Sequence, residues 1–126
     1  MAGILVVDDE EDICDYLKDI LGEMGHEVRA VLTGDEAMKL VDERKWQIAF
    51  VDIKLSTAVS GMDVIRTLRE KQPKTIVVVI TGYVDIGMIQ EAKRLGVRYY
   101  FEKPDDLRPS VLEEKMKTIE SEIEQD

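Results

Sequence analysis

The 126-residue sequence has little of what several protein classes depend on. A single cysteine, Cys14, excludes an internal disulfide and favours a reducing, cytoplasmic setting. No apolar stretch approaches the ~20 residues that a membrane helix needs, and no signal-peptide pattern is present. We therefore expect one folded domain over residues 1–126 that does not associate with a membrane.

Basic residues are also scarce relative to acidic ones. The chain has 17 Lys and Arg against 27 Asp and Glu, a net charge of -10, and its basic residues form no cluster. Such a surface repels a nucleic-acid backbone, so we expect no direct binding of DNA or RNA by this domain. One histidine and one cysteine supply no ligand set for zinc.

Short apolar runs alternate with segments whose apolar residues recur at helical spacing. The runs cover residues 4–7, 48–51, 76–80 and 99–101, and residues 27–31 alternate polar and apolar side chains. Strict alternation of strands and helices indicates parallel strands joined by right-handed crossovers, with helices on both faces of the sheet. The pattern predicts an α/β fold of (βα)5 type, a doubly wound five-stranded parallel sheet.

The polarity of each run predicts its place in the sheet. Strands that are buried on both faces read as continuously apolar, which puts strands one, three and four in the centre. Strands two and five carry charged residues and belong at the edges, which gives the flavodoxin-like order 2-1-3-4-5.

Helix ends are marked by residues with known terminal preferences. Thr33 and Glu36 have capping-box spacing, Gly25 and Gly96 stand where the first and fourth helices should end, and Pro73 closes the third. A fifth helix is expected over about 106–125. Its apolar spacing favours packing on the sheet, and a helix that runs on toward an output module is the alternative.

The residues that end the apolar runs carry chemistry. In a doubly wound sheet the ligand site lies at the carboxyl ends of the central strands. The runs end at Asp8 and Asp9, at Asp52 and at Thr81, and the fifth strand adds Lys103. Each residue alone has an ordinary structural explanation as a cap, a turn or a solvated side chain. Together they predict a site with three carboxylates, a hydroxyl and an ammonium group.

Carboxylates gathered at one edge repel one another unless a cation shares the site. All-oxygen ligands suit Mg²⁺ or Mn²⁺. A carboxylate is also a nucleophile toward phosphorus, and a phosphoryl group then needs positive charge and hydrogen-bond donors around its oxygens. The residue types therefore fit a metal-dependent phosphoryl acceptor.

Four motifs give the chain a resemblance to the response-regulator receiver family over nearly its whole length. They are Val-Val-Asp-Asp-Glu at 6–10, Val-Asp-Ile at 51–53, Ile-Thr-Gly at 80–82 and Glu-Lys-Pro at 102–104. The resemblance implies that Asp52 accepts the phosphoryl group and that Thr81 and Lys103 contact it. It also implies a Mg²⁺ site formed by Asp9, Asp52 and the Lys54 carbonyl, with Asp8 supporting the metal through water.

The resemblance implies a switch and partners as well. Thr81 and Tyr100 would change position on phosphorylation and alter the surface of helix four, strand five and helix five. The phosphoryl donor would be a sensor histidine kinase or a histidine phosphotransfer protein. An output domain, a partner protein and a phosphorylation-dependent dimer stay open. Lys54 and Tyr83 occupy positions that tune dephosphorylation, and neither can orient water as a carboxylate or carboxamide would, which predicts slow loss of the phosphoryl group.

One loop departs from the family pattern. The family commonly has a proline four residues after the phosphoacceptor, where this chain has Ser56, and the stretch Ser56 to Ser60 is about one residue longer. The path of this loop is therefore not predicted.

Three other functions are compatible with parts of the pattern. A phosphatase with an aspartyl nucleophile usually has a second acid where this chain has Lys54. A receiver that works without phosphorylation would lack an acid, Thr81 or Lys103. A nucleotide or flavin binder would need a Gly- or Ser/Thr-rich loop after the first strand, where Asp8 to Glu11 are all acidic. The sequence favours a phosphorylation-controlled switch that catalyses only its own phosphotransfer and slow autodephosphorylation.

Overall fold

A computed structural model describes residues 2–82 and 85–124, with the side chain of residue 124 excepted. Strands and helices alternate along the chain, as the apolar pattern predicts. In chain order the elements are β1 (Gly3–Val7), α1 (Glu11–Glu23), β2 (Glu27–Val31), α2 (Gly34–Glu43), β3 (Ile48–Asp52), α3 (Gly61–Lys71), β4 (Ile76–Thr81), α4 (Ile86–Arg94), β5 (Tyr99–Glu102), a 3₁₀ turn (Asp105–Leu107) and α5 (Pro109–Glu124).

The five strands form one parallel sheet in the order β2-β1-β3-β4-β5, which confirms the predicted flavodoxin-like arrangement. Every residue of β1 and β3 is buried, whereas β2 has no buried residue and β5 has one. The continuously apolar runs therefore occupy the centre because helices cover both of their faces.

Two apolar layers hold the helices on the sheet. Side chains at alternate positions of β1 point to opposite faces, so Leu5 and Val7 join the layer with α2, α3 and α4. Ile4 and Val6 join the layer with α1 and α5. Within the described residues no helix is both long and apolar enough to cross a membrane.

The predicted helix ends largely agree with the structure. The Thr33 hydroxyl accepts a hydrogen bond from the Glu36 backbone N–H at 3.1 Å. Gly25 and Gly96 follow α1 and α4 with φ of 93° and 85°, a left-handed conformation that glycine adopts without steric cost. A full capping box forms at Ser60 and Asp63 instead, at the start of α3.

The fifth helix begins later than the predicted residue 106. Residues Asp105–Leu107 form the 3₁₀ turn, and α5 begins at Pro109. Arg108 has an extended backbone (φ -59°, ψ 145°) because the residue before a proline is disfavoured in the helical region, while proline itself suits the first helical position. Leu112, Met116 and Ile119 of α5 are buried against the sheet.

Candidate functional site

Three carboxylates meet at the carboxyl edge of the central strands. Asp8 directly follows β1, Asp52 ends β3, and Asp9 opens the loop into α1. One oxygen from each lies within 4.8 Å of the others. Asp8 is fully buried, Asp52 is 4% exposed, and Asp9 is half-buried. The pairing of β1 with β3 places these acids together because both strands end at the same edge.

Lys103 lies among these carboxylates. Its Nζ donates to Asp8 Oδ2 at 2.8 Å, to Asp52 Oδ2 at 3.2 Å and to Glu10 Oε2 at 2.6 Å. Its backbone N–H donates to the Thr81 carbonyl at 2.8 Å, which attaches the end of β5 to the end of β4. The peptide bond from Lys103 to Pro104 is cis. The ammonium group is thus the cation shared by three acids, two that follow β1 and one at the end of β3.

The site carries more negative charge than Lys103 can balance. Burial raises the pKa of Asp8, and the hydrogen bond from Lys103 lowers it by less. Burial alone would lower the pKa of Lys103, but its hydrogen bonds to Asp8 and Glu10 raise it above the ordinary value. Both pKa values are raised, which disfavours the charged form of Asp8 and favours the charged form of Lys103, because the ammonium has several anionic partners while each buried carboxylate has a share of one cation. A second positive charge would fit here.

The donor set fits a hard divalent cation. Asp8, Asp9 and Asp52 offer oxygen ligands only, which Mg²⁺ and Mn²⁺ prefer. The backbone N–H of Lys54 donates to Asp52 Oδ1 at 2.9 Å, so the loop after β3 begins with a turn closed by the Asp52 side chain. This is the loop whose Lys54 carbonyl is predicted as a ligand.

Thr81 is the last residue of β4 and is 5% exposed. It pairs with Glu102 in the sheet, one residue before Lys103. The structure thus brings the predicted hydroxyl and ammonium residues to the ends of neighbouring strands, beside Asp52 at the end of β3. Their roles toward a phosphoryl group stay predictions.

Tyr100 lies on the face of the sheet that is covered by α2, α3 and α4. Its partly buried ring packs with the α2, α3 and α4 layer, and its hydroxyl donates to the Val97 carbonyl at 2.9 Å. Tyr99 packs on the opposite layer, as strand alternation predicts. Tyr83, the second residue predicted to tune dephosphorylation, lies outside the described residues.

Sequence reasoning missed three contacts around the acids. Ser56 donates to Asp9 through its backbone N–H at 3.1 Å and through its hydroxyl. These hydrogen bonds lower the pKa of Asp9, the one from the hydroxyl most strongly. Glu10 accepts from Lys103, and the Lys54 ammonium lies 3.3 Å from Asp85 at the start of α4. Of these three contacts, only the one made by Ser56 had a signal in the sequence, namely the departure of that position from the family pattern.

Comparison with known proteins agrees with this geometry. Residues 4–116 match the family model of the response regulator receiver domain. The chain is 27% identical to sporulation initiation phosphotransferase F of Bacillus subtilis over 104 residues, which are 82% of this chain and 83% of that protein. It is 31% identical to the response regulator protein PilR of Pseudomonas aeruginosa over 82% of its own length, but it spans 23% of PilR.

Solved structures of receiver domains have the same fold. A CheY-like receiver domain protein from Methanospirillum hungatei superposes with a TM-score of 0.90 at 27% identity, covering 100% of this chain and 99% of that one. A response regulator protein from Burkholderia pseudomallei, solved with a phosphorylated aspartic acid and a calcium ion, gives a TM-score of 0.76 at 34% identity over 82% of this chain and 61% of that one.

The family has a general role that suits the acidic edge of the sheet. Receiver domains accept phosphoryl groups from histidine kinases, bind Mg²⁺ at an acidic cluster and act as phosphorylation-controlled switches. The family model matches almost the whole described chain, and the strand order and the cluster of Asp8, Asp9 and Asp52 agree with it. This chain belongs to the response regulator receiver domain family.

Proposed function

We propose that Asp52 takes the phosphoryl group from a phosphohistidine of a sensor histidine kinase or a histidine phosphotransfer protein. The observation that carries this proposal is the position of Asp52 within the site. Its carboxylate is buried, belongs to the cluster of three acids, and accepts from both the Lys54 backbone N–H and the Lys103 ammonium group. Two donors orient its oxygens, which is what a carboxylate nucleophile requires.

Asp9, Asp52 and the Lys54 carbonyl would hold Mg²⁺ or Mn²⁺, with Asp8 supporting the ion through water. The all-oxygen donor set and the excess negative charge support this assignment. When bound, the ion supplies positive charge for the phosphoryl oxygens. Asp8 contributes by keeping Lys103 in place, because its buried carboxylate accepts from the ammonium group.

The transfer itself exchanges one bond to phosphorus for another. An oxygen of Asp52 forms a bond with the phosphorus atom while the bond from phosphorus to the donor imidazole nitrogen breaks, and the electron pair stays on that nitrogen. Lys103 then balances charge on a phosphoryl oxygen as a compact cation, and the Thr81 hydroxyl donates a hydrogen bond to another. The phosphorylated aspartic acid of the Burkholderia pseudomallei relative supports this chemistry.

Phosphorylation would act on two side chains that lie beside the site. Thr81 would move toward the phosphoryl group and the Tyr100 ring would turn inward, which changes the surface of α4, β5 and α5. Tyr100 is only partly buried and its hydroxyl is held by one carbonyl, so a second packing is accessible. To shift the population ratio of the two packings from 1:99 to 99:1, phosphorylation must favour one of them by about 5.5 kcal/mol.

The domain would catalyse its own phosphotransfer and a slow autodephosphorylation, without turning over other substrates. Lys54 and Tyr83, at the two positions expected to tune dephosphorylation, offer no carboxylate or carboxamide to orient the attacking water. We expect Lys54→Asn to lose the phosphoryl group about tenfold faster than Lys54→Met, which corresponds to ~1.4 kcal/mol in the barrier. Both variants lack the ion pair with Asp85, so their difference isolates the carboxamide. Loss of the phosphoryl group within seconds from the phosphorylated wild-type domain would contradict the proposal.

The remaining assignments concern the whole protein. Residues 1–126 would form one receiver domain that works in the cytoplasm and binds neither membrane nor nucleic acid directly. Longer relatives such as PilR support an output domain or a partner protein that reads the switch surface. A phosphorylation-dependent dimer would be a further form of output.

Intact-mass analysis after incubation with an acyl phosphate and Mg²⁺ tests the proposal. The wild type should gain one phosphoryl group, and Asp52→Asn should gain none. Asp42→Asn is the matched control, because this exposed acid pairs with Lys71 far from the site and should leave the adduct unchanged. A chelator should abolish the adduct on the wild type.

Two results would oppose the assignment. An adduct on both the wild type and Asp52→Asn would place the modification elsewhere, and an adduct on neither would deny the reaction. Sustained turnover of simple phosphate esters would instead indicate a phosphatase.

A further inference from the structure

Ser56 connects the loop after β3 to an acid of the loop after β1. Its backbone N–H donates to Asp9 Oδ2 at 3.1 Å, and its hydroxyl donates to the same oxygen. The two residues are 47 positions apart in the chain. Ser56 is exposed and Asp9 is half-buried, so these donors lie at the open side of the acidic cluster.

The acids of the cluster are held by different donors. Lys103 contacts Asp8 and Asp52 on the buried side, whereas Asp9 accepts from Ser56 on the open side. Both Ser56 donors reach Oδ2, and a carboxylate offers about four lone-pair sites on its two oxygens. Asp9 therefore keeps acceptor capacity for a cation while its orientation is set by the loop.

The Ser56 loop also contains the other expected ligands of the ion. Asp52 begins it, and the Lys54 backbone N–H bonds to Asp52 Oδ1 at 2.9 Å. The Lys54 bond closes the turn at the start of residues 52–56, and the Ser56 bonds hold the end of this stretch against Asp9. The entropy of bringing the two loops together is then lost on folding and not when the cation binds.

We propose that Ser56 is a positioning residue that orients Asp9 and holds the loop of Lys54 beside it, and so increases the affinity of the acidic cluster for Mg²⁺. This inference rests on the proposed function, because it assigns the cluster to Mg²⁺. Groups that hydrogen-bond to ligating side chains typically change metal affinity by about 10- to 100-fold. An exposed donor belongs at the lower end of that range.

Three variants of Ser56 separate its two donors. Ser56→Ala removes the hydroxyl and keeps the N–H, Ser56→Pro removes both, and Ser56→Thr keeps both. We expect the dissociation constant for Mg²⁺ to rise about tenfold in the proline variant, which loses both donors, and by less than that in the alanine variant, which keeps one. The threonine variant should stay within about twofold of the wild type.

The matched control is Thr57→Val in the same loop. The Thr57 hydroxyl donates to the Val59 carbonyl and accepts from the Gly34 N–H, so its loss loosens the loop without touching Asp9. Mg²⁺ affinity is measured by titration followed through backbone ¹H–¹⁵N chemical shifts. Urea unfolding in a chelator measures the stability of the metal-free fold, which the alanine and threonine variants should leave nearly unchanged.

The outcomes distinguish this inference from the proposed function. Equal Mg²⁺ affinities for wild type, Ser56→Ala and Ser56→Pro would overturn the role of Ser56, while Asp52 phosphorylation could still proceed. A loss in Thr57→Val as large as that in Ser56→Ala would also overturn it, because general loop order would then set the affinity. Absence of Mg²⁺ binding by the wild type would overturn the metal site as well.

Discussion

A single ammonium group determines the electrostatics of the metal-free site. The Lys103 side chain is 8% exposed, and it serves the buried carboxylates of Asp8 and Asp52 together with the exposed one of Glu10. Removal of one member of a buried ion pair is costly because the partner is left charged and poorly hydrated. Lys103 therefore has a structural role in addition to its proposed contact with the phosphoryl group.

We expect Lys103→Met to lower the free energy of unfolding by about 3 kcal/mol without divalent metal. The loss should be smaller in saturating Mg²⁺, because the bound cation would balance the same carboxylates. Urea unfolding with chelator and with Mg²⁺ measures both values. Lys117→Met, at an exposed position of α5, is the control and should change little in either condition. An equal loss with and without Mg²⁺ would contradict this account.

At the scale of elements, the start of α3 determines how the loop after Asp52 returns to the sheet. Ser60 and Asp63 form the capping box there, with each side chain accepting from the backbone N–H of the other. Gly61, the first residue of α3, lies directly against the end of β3. This helix terminus thus supports the backbone of the proposed phosphoacceptor.

We expect Gly61→Ala to impair both stability and phosphorylation. A Cβ atom at Gly61 would collide with the Asp52 carbonyl oxygen and lie 3.0 Å from the Ile53 Cα, so backbone must move. The expected cost is about 2 kcal/mol. Gly22→Ala is the control, since a Cβ there meets nothing within 4 Å and alanine favours the helix by roughly 0.5–1 kcal/mol. Urea unfolding measures the loss of stability, and intact-mass analysis measures phosphorylation. Full phosphorylation of Gly61→Ala would contradict the predicted effect on phosphorylation.

The same capping box gives α3 a pH dependence. The backbone N–H of Ser60 lowers the pKa of Asp63 below its ordinary 3.8. A depressed carboxyl pKa stabilises the fold above 3.8, and that contribution disappears as the pH falls through the folded-state pKa.

We expect wild type to be more stable than Asp63→Asn at neutral pH, with the difference shrinking as the pH falls below 3.8. Parallel urea titrations across this range measure the difference. A gap that is constant with pH would show that the charge of Asp63 does not contribute.

At the scale of the whole molecule, net charge and local charge act in the same direction. The chain carries -10 overall, and three of its acids share one edge of the sheet. Self-repulsion of this kind destabilises the compact state and is relieved when a cation binds.

We expect Mg²⁺ to stabilise the domain, by ~2.7 kcal/mol at a concentration 100 times the dissociation constant. The reason is mass action, because the folded acids bind the ion and the unfolded chain does not gather them. Thermal unfolding with Mg²⁺ and with chelator measures the effect. Asp9→Asn should remove most of the gain, and Asp42→Asn should retain it. Equal stabilisation of both variants would indicate nonspecific screening.

The sequence alone predicted the alternation of strands and helices, the order of the sheet and the convergence of Asp8, Asp9, Asp52, Thr81 and Lys103 at its carboxyl edge. These features follow from local periodicity and from the geometry of parallel crossovers, both of which can be read from residues close together in the chain. The predicted start of α5 at residue 106 is too early because Pro109 disfavours a helical backbone at Arg108.

Only the tertiary structure determined which side chains hold the acids. Ser56 contacts Asp9 across 47 residues, and Glu10 contacts Lys103 across 93. These contacts depend on loop paths and rotamers, which no periodic pattern in the sequence predicts. The buried Gln72 amide likewise bonds to the Trp46 N–H and the Val41 carbonyl, partners that no sequence motif identifies. The sequence by itself determined where the acidic site lies, because strand ends are local; the tertiary structure decided how each carboxylate is oriented, because hydrogen-bond partners are distant.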